Sequence, residues 1–320
     1  MIKINNYINS EFQPAKYFLE DINPATGKVI AKIPKSDLND VEMAVNAADD
    51  ARILWSSTSL EERTDWLHKI ADALEARSDE IASLESLDTG KPIALARAVD
   101  ASRSVANFRF FAQFAKDFTV EDFEMDDAMN HVILKPVGIA GLITPWNLPL
   151  YLLSWKIAPA IVMGNTVVAK PSELTPLTAN LLSEVIDEID LPAGVVNIVH
   201  GLGSEAGQFI VENPKVNLIS FTGGTITGKM VAATAAPMFK KLSLELGGKN
   251  ATIVLEDTDL DKSIPEIVRS GFMNQGQVCL CGSRILVSDK IWEEFVDKFV
   301  NHVKSMKVGD PSSSNSDLGA

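Results

Sequence analysis

The chain has few side chains that could bind a metal ion or form a disulfide bridge. Its only cysteines, Cys279 and Cys281, are separated by a single residue. A disulfide between them would close a strained ring and restrain almost no chain entropy. Both are therefore expected as thiols of a reducing, cytoplasmic environment. Structural zinc needs about four ligands, whereas the histidines are scattered singly, so we predict no metal site.

Positive charge is also scarce. The 43 acidic residues outnumber the 29 lysines and arginines, and the formal net charge is −14. Nucleic acids and anionic membrane surfaces select basic proteins, so neither is an expected partner. The amino-terminal residues contain no continuous apolar run, and no secretory signal is visible.

One charge-free segment has the length of a membrane span. Residues 136–155 contain no Asp, Glu, Lys or Arg, and about 20 apolar residues cross a bilayer as a helix. However, Pro136, Pro145 and Pro149 interrupt this segment, and a lipid-exposed helix could not satisfy its backbone around three prolines. We predict a buried strand followed by a loop.

The remaining pattern predicts an α/β fold. With 320 residues, 46% of them hydrophobic, the chain can bury a large core, and two domains are expected. After a short opening hairpin, the first hundred residues are predicted to be mostly helical, with Ser59 and Glu62 as a capping box. A further helix is predicted over residues 98–118.

From residue 130 onward, strand-like runs alternate with helices. This alternation predicts a doubly wound parallel sheet, which binds ligands at the carboxyl ends of its strands. The predicted strands are residues 131–135, 138–143, 166–170, 195–199, 218–221, 251–255 and 285–287.

Two segments carry residues suited to covalent catalysis. Cys279 lies in the glycine-containing run 274–284, and Glu245 lies two residues before a pair of glycines. A cysteine nucleophile and a carboxylate base are the two halves of a covalent reaction that water completes. Backbone amides would activate the thiol, and desolvation in a largely apolar strand would make Glu245 a stronger base. A buried structural cysteine and an exposed strand glutamate are the alternatives, and Cys281 is interpreted as structural.

A third segment carries a candidate oxyanion donor. Asn147 lies between two prolines in a loop that joins a predicted strand to a predicted helix. Prolines restrain such a loop, and one fixed amide donor to an oxyanion contributes about 10² to 10³ in rate. The alternative is an ordinary turn asparagine. Lys156 follows on the helix, either as a site residue or as an ordinary helix lysine.

The signals for a nucleotide cofactor are weaker, because the fingerprint Gly-x-Gly-x-x-Gly is absent. The run 201–207 contains one residue more than this fingerprint allows. By itself it indicates only a turn that leads into a helix. The run 221–228 opens another helix after a strand, and helix N-termini attract phosphate. The run 170–173 ends a strand. It either holds the ribose of a nucleotide or is a charged strand end exposed to solvent.

Together these segments resemble the signature motifs of the aldehyde dehydrogenase superfamily, over essentially the whole chain. The resemblance implies a Rossmann-like cofactor domain and a second α/β catalytic domain. It also implies that Cys279 is the nucleophile, Glu245 the base and Asn147 the oxyanion donor, with Lys156 lining the site.

The same resemblance implies how a cofactor is held. Glu173 would bond the ribose hydroxyls and repel a 2′-phosphate, which favours NAD over NADP. Gly224 departs from the family's usual serine, so one hydroxyl–phosphate bond is missing. The residues placed against the cofactor are Thr144, Trp146, Lys170, Ser172, Glu173, Gly203, Gly207, Phe221, Gly223, Gly224 and Gly228.

The resemblance further implies the domain organisation. An NAD-binding domain is expected over residues 1–118 and 138–246, an oligomerisation arm over 119–137, and the first part of a catalytic domain over 247–320. The remainder of the catalytic domain is expected to be missing, which would expose a sheet edge. The full-length protein is expected to form a homodimer or homotetramer.

Four segments, residues 94–97, 103–111, 148–156 and 278–281, resemble the muconic semialdehyde dehydrogenases of this superfamily. The implied reaction is NAD-dependent oxidation of a small carboxylate-bearing aldehyde through a cysteine thioester. Alternatives are oxidation of other aliphatic or betaine-type aldehydes, coenzyme-A-dependent acylation, against which Glu245 argues, and a non-catalytic protein that retains the fold.

Arg109 is the candidate partner of the substrate carboxylate. Phenylalanines flank it on a helix that we predict to be largely buried, and a desolvated guanidinium there would bind a carboxylate through two hydrogen bonds. The alternative is an arginine that reaches solvent from a core helix.

Overall fold

The structure, a computed structural model, describes residues 1–320. Its eleven α-helices, α1 to α11, are Leu38–Ser57, Leu60–Ala76, Ser78–Thr89, Ile93–Leu95, Ser102–Asp117, Pro149–Val162, Leu177–Glu188, Gln208–Glu212, Thr225–Ala235, Leu260–Phe272 and Trp292–Ser305. Two π-helical segments, Ala96–Ala101 and Gly203–Gly207, lead directly into α5 and α8.

Fourteen strands form four sheets. In chain order, β1 to β14 are Ile2–Lys3, Asn6–Ile8, Glu11–Gln13, Phe18–Asn23, Lys28–Pro34, Phe123–Glu124, Met129–Asn130, Ile139–Ile143, Thr166–Lys170, Val196–Ile198, Val216–Gly223, Lys241–Leu246, Ala251–Val254 and Arg284–Val287.

The main sheet has seven strands in the order β12-β11-β8-β9-β10-β2-β3. The five strands from β8 to β12 pair in parallel, whereas the opening hairpin β2–β3 adds two antiparallel strands at one edge. The chain runs outward from β8 through β9 to β10 and then returns to the other side of β8. This reversal between β8 and β11 is the topological switch point at which open α/β sheets bind ligands. The predicted doubly wound parallel sheet is confirmed.

Helices cover both faces of this sheet because its strands are apolar on both sides. Along β8, Ala140 and Leu142 pack on one face with residues of α2, α5, α6 and α7. Ile139 and Ile143 pack on the other face with α1, α8 and α9. Alternate residues of a strand point to opposite faces, so the short run 139–143 contributes to two cores at once.

Capping residues define where the first helices begin. Asp37 and Asp40 form a reciprocal capping box at the start of α1. At α2, the Ser59 side chain accepts the Glu62 amide at 3.1 Å. The reciprocal half of the predicted Ser59–Glu62 box is absent, so Ser59 acts as a simple N-cap.

A smaller layer follows the main sheet. Strands β13 and β14 pair in parallel, and α10 and α11 pack on them around a separate core that includes Val254, Ile264 and Phe295. The predicted alternation of strands and helices after residue 250 is confirmed, while the domain boundaries stay a prediction.

One predicted strand is wrong. Residues 131–135 form no strand, and β7 ends at Asn130 after pairing with β6 in a two-residue ladder. Val132, Ile133 and Leu134 are exposed, because no neighbouring strand of this chain lies beside them. The charge-free segment 136–155 is, as expected, a buried strand followed by a loop and then the start of α6. None of the helices combines the length and apolar composition needed to cross a bilayer.

Candidate active site

The loop after β8 places Asn147 at the carboxyl edge of the main sheet. The Asn147 side-chain amide donates a hydrogen bond to the Gln277 carbonyl at 2.8 Å, and the Asn147 carbonyl accepts one from the Asn274 side chain at 3.0 Å. These bonds join residues more than 120 positions apart in the chain. The predicted oxyanion donor is therefore held against the segment that carries Cys279.

The backbone before Cys279 has an unusual conformation. Asn274, Gln275 and Gly276 all have positive φ, at 54°, 57° and 73°. Only asparagine and glycine adopt this region readily, so Gln275 is the strained member of the three. Asn274 is buried, and its side chain bonds the Asn147 carbonyl, so the turn is held in place by the neighbouring loop.

Cys279 itself is exposed, whereas Cys281 is buried. The Cys279 carbonyl accepts a hydrogen bond at 2.7 Å from the side chain of Asn250, which follows the strand of Glu245. The Asn147 loop and Asn250, which lies four residues beyond the end of the Glu245 strand, thus bind the cysteine segment directly. Only Cys279 is positioned to meet a substrate that approaches from solvent.

Glu245 and Lys156 lie close enough to interact electrostatically. Glu245 pairs in register with Thr222 of β11, and the Lys156 ammonium donates to the Ser220 hydroxyl of the same strand at 2.7 Å. Burial lowers the pKa of Lys156 to about 8, and the negative charge of Glu245 partly opposes that effect. Glu245 is exposed, so the desolvation predicted for it from the apolar strand is not found.

Lys170 and Glu173 form a partly buried pair at the end of β9. The Lys170 ammonium lies 2.9 Å from the Glu173 carboxylate and also donates to the Pro171 carbonyl at 3.0 Å. Burial lowers the pKa of Lys170. Burial alone would raise the pKa of Glu173, but the charge and hydrogen bond of Lys170 bring it below its ordinary value. A fixed carboxylate at this edge can accept hydrogen bonds from two neighbouring hydroxyls.

The glycine runs begin two helices at the same edge. Added Cβ atoms at Gly203 and Gly224 would meet nothing within 4 Å, whereas one at Gly228 would lie 2.5 Å from the Leu246 side chain. A ligand can therefore approach the backbone at the first two positions, while Gly228 permits close packing of α9 on β12. Gly207 leads into α8 beside the Lys170 side chain, which an added Cβ would meet at 3.6 Å.

The remaining predicted cofactor residues differ in their surroundings. Thr144 directly follows β8, and its buried hydroxyl has no hydrogen-bond partner, so one polar atom is free for a ligand. Trp146 is exposed, the Ser172 hydroxyl accepts the Leu174 amide, and Phe221 is buried. Gly223 ends β11, and a Cβ added there would lie 2.5 Å from the Phe221 ring. The free Thr144 hydroxyl and the open backbone at Gly203 and Gly224 fit a nucleotide cofactor.

Arg109 is not the desolvated cation that the sequence predicted. Its guanidinium is 40% exposed and bonds Asp72 and Glu75 at 2.8 and 2.6 Å. These carboxylates raise its pKa and satisfy its donors. The helix is less buried than expected because Phe110 and Phe114 stack on each other at the surface instead of entering the core.

Another arginine of the same helix has no carboxylate partner. Arg97 pairs with Asp79, but Arg103 forms no ion pair and lies 5.7 Å from the centre of the Tyr151 ring. Tyr151 belongs to α6, four residues after Asn147, and its carbonyl accepts a hydrogen bond from Asn107 of α5. Arg103 is thus the unpaired guanidinium that lies beside the helix following the Asn147 loop.

Sequence reasoning missed several residues of this site. Ser220, Asn250 and Asn274 each bond a predicted site residue, yet each stands in a segment whose pattern indicates only a strand or a turn. Lys91 donates to the Asn147 carbonyl at 3.2 Å and was also missed, since a lysine between Gly90 and Pro92 is typical of a solvated loop.

The chain is similar to known proteins along its whole length. Residues 12–320 match the model of the aldehyde dehydrogenase family. The chain is 48% identical to 2-aminomuconic semialdehyde dehydrogenase of Homo sapiens over 322 residues, which cover 100% of this chain and 66% of the relative. It is 45% identical to 2-hydroxymuconic semialdehyde dehydrogenase of Pseudomonas sp. (strain CF600) over 328 residues, which cover 100% of this chain and 68% of the relative.

The fold also matches solved structures. An NAD⁺ complex of aldehyde dehydrogenase from Bacillus cereus has a TM-score of 0.96 and 37% sequence identity, and the match covers 99% of this chain and 66% of that chain. The chain thus spans about two thirds of the length of the curated relatives that it matches.

Proposed function

The chain belongs to the aldehyde dehydrogenase family, and we propose that the protein oxidises a carboxylate-bearing aldehyde to the corresponding carboxylic acid. The observation that carries this proposal is the pair of hydrogen bonds joining the Cys279 segment to Asn147 on one side and Asn250 on the other. These bonds hold the proposed nucleophile beside the loop of the proposed oxyanion donor and beside the segment that follows the strand of the proposed base.

The residues divide the reaction between them. The Cys279 thiolate adds to the aldehyde carbon, and the Asn147 amide and the Cys279 backbone amide stabilise the resulting oxyanion. A nicotinamide cofactor, which Lys170 and Glu173 would help to hold, would supply the hydride acceptor for this carbon. Loss of the hydride would leave a thioester on Cys279. Glu245 takes a proton from a water molecule that hydrolyses the thioester and releases the acid.

Lys156 holds a proton close to the base. Its ammonium bonds Ser220 and feels the charge of Glu245, and a pKa of about 8 allows it to exchange a proton near neutral pH. Lys156 is therefore placed to pass on the proton that Glu245 removes from water.

The cofactor that these residues fit is NAD in preference to NADP. Glu173 is fixed by Lys170 at 2.9 Å, and a carboxylate there accepts both ribose hydroxyls but repels a 2′-phosphate. The open approach at Gly203 and Gly224 and the free hydroxyl of Thr144 leave room and one polar atom for the remainder of the dinucleotide.

The substrate class is proposed to be a muconic-type semialdehyde. Relatives at 48% and 45% identity carry that activity in their names, and such substrates bear a carboxylate. Arg103 is the proposed matching cation: its guanidinium lies beside the Tyr151 ring and has no carboxylate partner, whereas Arg97 and Arg109 are bonded to carboxylates of the chain. The position of Arg103 over Tyr151 places it along the helix that begins at the Asn147 loop.

We also propose that the protein acts as a homo-oligomer in the cytoplasm, with residues 119–137 as the oligomerisation arm between the two parts of the NAD-binding domain and with 247–320 in the catalytic domain. Residues Phe123, Met125, Ile133 and Leu134 are exposed, and apolar patches of this kind mark protein contacts.

The experiment is to measure formation of reduced cofactor with a panel of aldehydes that differ only in whether they carry a carboxylate. We expect oxidation by the wild type and none by Cys279→Ser. Arg103→Ala should raise KM for carboxylate-bearing aldehydes by about 10-fold or more, the value of a charged hydrogen bond, and should leave simple aldehydes unchanged. Arg109→Ala is the matched control and should behave as wild type. Equal effects of Arg103→Ala on both classes would refute the substrate proposal, and an active Cys279→Ser variant would refute the reaction.

A further inference from the structure

Three charged side chains lie fully buried behind the Asn147 loop. Glu85 of α3, Lys91 of the following turn and Asp100 of the π-helical segment are each 0% exposed. The Lys91 ammonium lies 2.8 Å from the Asp100 carboxylate and 3.7 Å from that of Glu85. We call these residues the Glu85–Lys91–Asp100 cluster.

Burial of three charges calls for an explanation. Removing an ion pair from water costs more than the attraction between its members usually returns, and an apolar cluster of the same size would fill this space at lower cost. One oxygen of Glu85 and one of Asp100 have no hydrogen-bond partner at all. The cluster is therefore not accounted for by packing stability alone.

Two of the hydrogen bonds that leave the cluster end on the Asn147 carbonyl and on the first turn of α6. Lys91 donates to the Asn147 carbonyl at 3.2 Å, and Glu85 accepts the Leu150 backbone amide at 3.0 Å. Leu148 occupies the N-cap of α6 and offers no capping side chain. Glu85 consequently takes the place of an N-cap for this helix, although it comes from a different helix.

These bonds fix the peptide group that directly follows the oxyanion donor and the first turn of α6 beyond it. The Asn147 carbonyl is held by Lys91 from the core and by Asn274 from the cysteine segment. Pro145 and Pro149 remove most of the remaining freedom of the loop. The backbone carbonyl and the side chain of Asn147 are attached to the same Cα. The direction of the side-chain amide therefore depends on where the backbone carbonyl is held.

We propose that Lys91 is a positioning residue of the reaction: the Glu85–Lys91–Asp100 cluster holds the Asn147 carbonyl and the start of α6 so that the Asn147 amide points at the oxyanion. This inference rests on the proposed function, in which Asn147 is the oxyanion donor. Misplacing a catalytic group by about 1 Å can cost about 10²-fold in rate, so a buried ammonium far from the reacting atoms can control their chemistry.

The test is a double-mutant cycle between Lys91 and Asn147 in the protein as its gene encodes it. Lys91→Met is combined with Asp100→Asn, so that one positive and one negative charge leave together and the net charge of the cluster is preserved. Asp100→Asn alone is the matched control, because it keeps the bond from Lys91 to the Asn147 carbonyl. The readouts are kcat/KM for aldehyde oxidation, the rate of Cys279 alkylation by iodoacetamide, and Tm.

We expect Asn147→Ala to lower kcat/KM by about 100-fold and the Lys91→Met/Asp100→Asn variant to lower it by about 10- to 100-fold. Cys279 alkylation should be unchanged in the latter variant, and Asp100→Asn alone should have a much smaller effect. In the Asn147→Ala background, removing Lys91 should produce little further loss, because the group that it positions is gone.

If removing Lys91 lowers kcat/KM by the same factor in the Asn147→Ala background as in the wild type, the two residues act independently and the inference is overturned. The proposed aldehyde oxidation would still stand. Absence of aldehyde oxidation in the wild type would refute the proposed function and this inference with it. If the Lys91→Met/Asp100→Asn variant does not fold, Thr178→Val replaces it, since the Thr178 hydroxyl bonds Glu85 at 2.8 Å. A loss of about 3-fold, the value of one ordinary hydrogen bond, should then appear only when Asn147 is present, and the same loss in both backgrounds would again overturn the inference.

Discussion

Replacing Lys156 by methionine should make the protein more stable at neutral pH. Lys156 is 8% exposed, and burial lowers its pKa from 10.5 to about 8. Each pKa unit corresponds to about 1.4 kcal/mol, so the protonated ammonium disfavours the folded state by about 3 kcal/mol. Methionine has a similar length and no charge. The variant loses the bond to Ser220, which contributes about 1 kcal/mol, and the net gain at pH 7 is about 2 kcal/mol.

The pH dependence gives this prediction a sign that can be checked. Because the folded-state pKa lies below the unfolded value, the cost of the charge is fully present below about pH 8 and disappears as the pH rises towards 10.5. The stability difference between Lys156→Met and wild type should therefore fall from about 2 kcal/mol at pH 7 to near zero at pH 9.5.

Urea denaturation of both proteins at the two pH values measures this difference in the free energy of unfolding. The other titratable groups are the same in both proteins, so their contributions cancel in the difference. A variant less stable than wild type at pH 7, or a difference that does not change with pH, would refute the reasoning. A residue that destabilises the fold in this way is expected at a functional site, so the more stable variant should also be the less active one.

Two further predictions concern the cofactor and the nucleophile. Glu173→Gln should raise the ratio of NADP to NAD activity, measured as kcat/KM, by about 10-fold or more, because it removes a like charge from the site of the 2′-phosphate; an unchanged ratio would contradict the assignment of Glu173. A limiting amount of iodoacetamide should alkylate Cys279 well ahead of Cys281, since only Cys279 is exposed; peptide mass spectrometry showing equal labelling would argue against an accessible, activated thiolate.

Local patterns carried enough information for the main sheet. The run 166–170 is apolar between Thr166 and its final lysine and is bounded by Asn165 and Pro171, and β9 occupies it from end to end. The roles of Asn147, Glu245 and Cys279 were predicted from the resemblance to the aldehyde dehydrogenase superfamily, because the local pattern alone left an ordinary turn asparagine, an exposed strand glutamate and a structural cysteine open.

The errors arise where the outcome depends on distant contacts. Residues 131–135 have the composition of a strand, but no partner strand of this chain lies beside them. Arg109 was expected to be buried because Phe110 and Phe114 were expected to enter the core, whereas they remain at the surface. The burial of Lys91 depends on Glu85 and Asp100, and nothing in the immediate sequence of Lys91 indicates that an acidic pair surrounds it.

The most direct test of the account is to trap the covalent intermediate in the Glu245→Gln variant. This variant keeps Cys279 and Asn147 but lacks the base that activates water, so a thioester should accumulate when it is mixed with NAD⁺ and a carboxylate-bearing aldehyde. We predict a protein whose mass has increased by that of the aldehyde less two hydrogen atoms, with the acyl group on the peptide containing Cys279. No adduct, or an adduct on Cys281, would contradict the proposed reaction.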